Sequence, residues 1–192
     1  MSDRWSMLAF RCDSPDYALS LLSESLPSAG LCLEFPGTRI VKILNEIGEQ
    51  QDGTRNDLVR LLQARHALTF QWWWNESEDV CCGIRLASGA AFVEFFLDGL
   101  DDAQEERLLS CIRGVYDSLA EQQIALGFVV DDQGDSQLYD WYGILAGQHL
   151  VSGELPDIAV VPRKTGERLL AHSPFPVSVQ EEGEQLVLRR NT

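Results

Sequence analysis

The side chains of this 192-residue chain best suited to nucleophilic or metal chemistry are two adjacent thiols, Cys81-Cys82, and three histidines, His66, His149 and His172. A catalytic thiol works as the thiolate, so it needs a histidine or another cation within hydrogen-bond reach and oxyanion donors beside it. The three histidines are scattered, no His-Glu-x-x-His spacing occurs, and Cys81-Cys82 is not the Cys-x-x-Cys of a zinc or redox site. Both thiols also stand inside an apolar run, where a thiol behaves as a small hydrophobe. They are expected in the core, and no catalytic, metal-binding or cofactor-binding residue is assigned.

Phosphate cradles are missing too: there is no Gly-x-x-x-x-Gly-Lys-Ser/Thr and no Gly-x-Gly-x-x-Gly after a strand. Asp131-Asp132-Gln133-Gly134-Asp135 resembles a calcium loop only superficially, because the twelfth position is Tyr142 rather than a bidentate Glu. A solvated turn is expected there.

Charge is the more informative property. Thirty acidic residues against fifteen basic ones give a net charge of -15 and an isoelectric point near 4.4. That balance argues against nucleic-acid binding, which needs Lys and Arg to displace phosphate counterions, and favours a basic partner. Between Asp98 and Asp140 stand eleven acids and only Arg107 and Arg113, so this segment holds nine of the fifteen excess negative charges. Sequence spacing leaves open whether its two clusters, before and after a long helix, share one end of the fold. Beside the second cluster lies Tyr139-Asp140-Trp141-Tyr142-Gly143, and Tyr and Trp are the usual anchors of protein interfaces.

These residues must be positioned by a scaffold centred on Leu68 to Leu100. Three aromatic and β-branched runs there, separated by Asn75 to Asp79 and by Ser88-Gly89, have the spacing of an antiparallel meander. On a strand Trp72 and Trp74 share one face and Trp73 takes the other, so both faces need cover. Before the meander, a strand at Arg4 to Cys12 leads to a helix capped by Ser14 with Pro15 at its first position. Leu31 to Phe35 reads as a short strand. Ile40, Ile43, Leu44 and Ile47 at i, i+3, i+4 and i+7 predict a helix ended by Gly48, followed by an exposed loop from Glu49 to Asn56 and a helix from Asp57 to Arg65.

After it, Asp102 with Glu105 forms an Asp capping box for the strongest helix of the chain. Ile124 to Val130 predicts a strand beside the meander. Ile158 to Val161 suits a short strand and Gly166 to Ala171 a helical turn. Val177 to Gln180 and Gln185 to Leu188 close the chain as a hairpin. Strands and helices mix without βαβ alternation, so the expected fold is a single α+β domain over residues 1–192, with an antiparallel-rich sheet covered by several helices. No run reaches transmembrane length, Met1 to Trp5 lacks the pattern of a signal peptide, and an odd set of five cysteines inside apolar runs fits a reducing cytoplasm.

The C-terminal third carries Trp141-Tyr142-Gly143-Ile144-Leu145, then Leu155-Pro156, Gly166 with Leu169-Leu170, and Pro174-Phe175. Over about 35 residues this pattern resembles a family of bacterial immunity proteins encoded beside toxins of polymorphic and type VI secretion systems. In that pattern Pro-Phe leads into Asn-Pro and a terminal helix, whereas Pro176-Val177-Ser178-Val179 opens a hairpin here. The resemblance implies a non-catalytic inhibitor of a cognate toxin, often a nuclease of restriction-endonuclease-like fold. A nuclease cleft is basic, which fits the charge reading.

The expectation is therefore a cytoplasmic immunity protein with no cofactor, no nucleic acid and no membrane among its partners. Its partner surface is assigned to Asp98, Asp101, Asp102, Glu105, Glu106, Asp131, Asp132, Asp135, Asp140, Trp141 and Tyr142. The alternative reading is a small-molecule enzyme or ligand binder whose pocket is lined by Trp73, Cys82 and His66, and a third is a structural adaptor with a broad apolar patch.

Overall fold

The computed structural model describes residues 4–45, 47–134, 136, 140–147, 155–173 and 176–191. In chain order the elements are β1 (Trp5–Arg11), α1 (Pro15–Ser25), a 3-10 turn (Leu26–Ala29), β2 (Val41–Leu44), β3 (Gln50–Gly53) and α2 (Arg55–Arg65). There follow β4 (Ala67–Asn75), β5 (Glu78–Ala87), β6 (Ala90–Phe96), α3 (Asp102–Glu121), β7 (Ala125–Asp131), α4 (Trp141–Leu145), β8 (Ile158–Pro162), α5 (Arg163–His172), β9 (Val177–Glu182) and β10 (Gln185–Arg190).

All ten strands join one antiparallel sheet in the order β3-β2-β4-β5-β6-β1-β7-β8-β10-β9. The α+β class and the β4-β5-β6 meander are as the sequence reading has them. The meander lies within one half of the sheet rather than at its centre. β1 occupies the middle beside β6 and pairs with β7 on its other edge, so β7 lies one strand away from the meander and not next to it. Hydrophobic patterning identifies a strand but carries no address for a partner more than a hundred residues away.

Alternation along the strands splits the interior into two cores. Leu8 and Phe10 of β1, with Phe70, Trp72, Cys82, Val93 and Phe128, face α1, α2 and α3. Trp5, Met7 and Ala9, with Phe92, Val129, Val161 and Leu188, face α4 and α5 on the opposite side. Trp72 and Trp74 share the first face, where the Trp74 indole N–H donates to the Ala29 carbonyl at 3.0 Å. Trp73 points the other way and is only 6% exposed. Phe35 covers it edge-on with ring centroids 4.8 Å apart, and its backbone bridges to Cys32.

Four local readings are corrected. Ile40 to Ile47 is not a helix: Val41 and Ile43 enter the core at strand spacing, while Ile47 is 79% exposed at the tip of the β2-β3 hairpin. The expected strand at Leu31 to Phe35 is reduced to the Cys32 bridge. The expected loop after Glu49 contains β3, an exposed edge strand. The long helix starts one residue early, because Asp101 and Gln104, not Asp102 and Glu105, make the reciprocal capping box.

Candidate protein-binding surface

The acidic segments of the sequence come together at one end of the sheet. Trp5 pairs with Phe96 on one side and Asp131 on the other, so the end of β6, the start of β1 and the end of β7 lie side by side. α3 begins just beyond β6. Arg4, immediately before β1, donates to Glu105 on α3 and to Asp132 at 2.5 Å beyond β7. Asp132 first, and Glu105 after it, push the Arg4 guanidinium pKa up. One cation thus ties together the two clusters whose relation the sequence left open.

The surface acids at this end are Asp98, Asp102, Glu106 and Asp132, all exposed, with Glu105 half-buried behind Arg4. Asp101 is exposed but engaged, accepting the Gln104 backbone N–H at 2.8 Å as the α3 cap. Asp140 caps α4 in the same way, accepting from the Gly143 backbone N–H at 3.0 Å. Asp135, Tyr139, His149 and the Pro174-Phe175 pair lie outside the described residues.

Two of the assigned residues are inside. Asp131 is fully buried, and its Oδ2 accepts from the Ser136 backbone N–H at 2.9 Å and from the Ser136 hydroxyl at 2.7 Å. Trp141, 2% exposed, donates its indole N–H to the Ser136 carbonyl and hydroxyl, both at 3.1 Å. These side chains hold α4 against β7 and offer nothing to a partner. Tyr142 is half-buried: its ring meets Phe92 edge-on at 5.1 Å, Arg85 lies over it at 4.4 Å, and its hydroxyl donates to Glu94 at 2.6 Å. Burial first, then the Glu94 charge, push the phenol pKa up.

Asp157 is a residue the sequence reading missed. It accepts the backbone N–H groups of Asp132 at 2.7 Å and Gln133 at 3.2 Å, and pairs with Arg190 at 3.1 Å. It therefore fixes the turn that displays Asp132. A lone Asp before a β-branched run carries no sequence signal for this role.

The alternative pocket is not assembled. Cys82 is buried under the helices, Trp73 faces the opposite side against Phe35, and His66 caps the end of α2 with φ of 60°. Burial pushes the Cys82 thiol well up; burial and then Asp79 push Cys81 up to about 11. Both thiols are therefore protonated and poorly nucleophilic at neutral pH. Among the described residues no cluster of three or more His, Cys, Asp or Glu could hold a metal ion, and no helix is long and apolar enough to cross a membrane.

This geometry defines an α+β domain with one ten-stranded antiparallel sheet and an acidic end built around Arg4. No family model, curated protein or solved structure matches the chain.

Proposed function

We propose that the protein is a cytoplasmic immunity protein that neutralises a cognate antibacterial toxin, a nuclease with a basic cleft, by direct binding through its acidic end. The observation that carries this reading is the convergence of the two acidic segments on Arg4, which concentrates Asp98, Asp102, Glu106 and Asp132 at one end. A surface of one sign steers an oppositely charged partner and speeds its association, an effect that salt weakens. The resemblance of the C-terminal third to immunity proteins of polymorphic and type VI systems points to the same class of partner.

The test uses the product of the neighbouring gene, which this reading expects to be the toxin. Asp102→Lys with Glu106→Lys alters two exposed side chains that make no cap or core contact. The variant should fold normally, associate about tenfold more slowly at low ionic strength and protect cells less. Association kinetics that stay unchanged at low salt would remove the acidic end from the binding surface.

A further inference from the structure

β9 (Val177–Glu182) is the last strand of the sheet; Val177 is half-buried and its other residues are exposed. Its inner edge pairs with β10, and its outer edge presents backbone N–H and C=O groups that no other strand of the sheet meets. Folded proteins usually guard such an edge with Lys, Pro, a bulge or a very short strand. β9 contains neither Lys nor Pro, its register with β10 is unbroken, and it is longer than the four-residue β3 at the opposite edge. Its two acids are already neutralised from within the chain: Glu181 pairs with Arg163 at 2.9 Å and Glu182 with Arg113 at 2.5 Å.

The hairpin turn fixes which groups point outward. Gly183, with φ of 61°, and Glu184 form a two-residue loop between Glu182 and Gln185, so those two residues make a hydrogen-bonded pair and the pairs alternate from there. Gln180 and Ser178 therefore direct their N–H and C=O groups to Val187 and Arg189 of β10, while Glu181, Val179 and Val177 turn theirs to the free edge. Val179, in the middle of that outward set, is 46% exposed and one of three exposed large hydrophobic side chains among the described residues.

We propose that β9 pairs antiparallel with β9 of a second copy about a two-fold axis at Val179, joining the two sheets edge to edge. A two-fold perpendicular to the sheet keeps each face on its own side, so residues an even number apart must pair. Centred on Val179, the pairs are Val179 with Val179, Val177 with Glu181 and Ser178 with Gln180, and every outward N–H and C=O finds its partner. Val179 extends the apolar row begun by Leu188 of β10, and its counterpart continues that row into the second sheet. No acid faces an acid. Arg189, exposed and without an ion partner among the described residues, stands about 12 Å between Cβ atoms from Glu182 of the partner subunit, within reach of two long side chains. A foreign strand would have to supply both an apolar match for Val179 and a cation for Glu182; a second copy brings both, and the contact is isologous, as a closed dimer requires. β1 and the acidic end lie four strands in from β9, roughly 19 Å away, and stay free.

Sedimentation equilibrium of the full chain at physiological salt, where repulsion between two acidic chains is screened, should find a species of twice the 21.5 kDa chain mass. Val179→Pro removes one outward N–H while sparing the ladder to β10, and should give a monomer with the wild-type far-ultraviolet circular dichroism. Val179→Lys sets two ammonium groups face to face and should weaken the dimer about tenfold or more. Cross-linking checks the register in a Cys32→Ser background. Val179→Cys should form an intermolecular disulfide on mild oxidation, because a hydrogen-bonded pair holds its Cα atoms about 5.5 Å apart. Gln180→Cys should not, its counterpart lying roughly 8 Å away. A chain that is monomeric at every concentration, a dimer indifferent to both Val179 substitutions, or cross-linking as ready through Gln180→Cys as through Val179→Cys overturns the proposal.

Discussion

The Tyr142 hydroxyl donates to Glu94 at 2.6 Å, joining α4 to β6 across the sheet face that the Phe92 ring also occupies. Burial and the Glu94 charge both favour the neutral phenol in the fold, so its pKa lies above the ordinary value near 10. The stability this contributes is complete below pH 10 and is lost as pH rises, because the unfolded chain gives up the proton first. Tyr142→Phe should cost about 1 kcal/mol at pH 7 by urea denaturation and remove one late-ionising phenol from the ultraviolet titration. An unchanged titration would mean that Tyr142 ionises normally.

Asp131, Ser136 and Trp141 form a buried chain of hydrogen bonds, so substitutions there act on folding. Asp131→Ala leaves the Ser136 N–H and hydroxyl without their acceptor and should lose about 1–3 kcal/mol. Trp141→Ala opens a cavity between β7 and α5 and should lose about 3–5 kcal/mol. Both are measured by chemical denaturation. A Trp141→Ala protein of native stability but weakened binding to the proposed partner would return this side chain to the proposed binding surface.

Arg4→Ala separates charge from stability at the acidic end. The ion pairs with Glu105 and Asp132 are partly exposed, so their loss should change stability by less than about 1 kcal/mol. Removing the cation between them deepens the negative potential, so association with a basic partner should become faster at low salt. Slower association would show that Arg4 itself touches the partner.

Gly127 on β7 lets α4 sit close. A Cβ there would come within 2.5 Å of a Leu145 methyl and 3.3 Å of Val161. Gly127→Ala should therefore destabilise by about 1–3 kcal/mol through overpacking, read as a lower melting temperature. A neutral substitution would mean that α4 shifts outward without penalty.

Cysteine labelling distinguishes the thiols. Cys32 is exposed, whereas burial and Asp79 hold the Cys81 pKa near 11 and Cys82 is fully buried. Iodoacetamide at pH 8 should modify Cys32 first, with Cys81 gaining reactivity only as pH approaches 11 and Cys82 protected until unfolding. Rapid labelling of Cys81 at pH 7 would revive a nucleophilic role.

Elements whose signal is local were legible in the sequence. The β4-β5-β6 meander, α3 and the β9-β10 hairpin each combine a clear period with turn residues at both ends. Ile40 to Ile47 misled because its apolar residues satisfy the helical spacing, while the strand that forms uses only Val41 and Ile43 before a tight turn at Asn45 to Gly48. A four-residue strand has too few alternations to outweigh that coincidence. The acids were legible as a charge excess but not as a place, since their convergence depends on β1 entering between β6 and β7. Trp141 beside acidic residues reads the same whether it plugs a core or anchors an interface. Only its hydrogen bonds to Ser136 decide.

The position of β1 also sets a timetable for the ribosome. Its neighbours end at Phe96 and Asp131, so β1 acquires both partners only after some 120 further residues are made. At about 5–20 residues per second that is a delay on the order of ten seconds. Through it Trp5 to Phe10, six residues buried in the finished fold, travel with at least one bare edge. A nascent chain stalled before β7 should thus be a substrate for chaperones rather than a half-built domain.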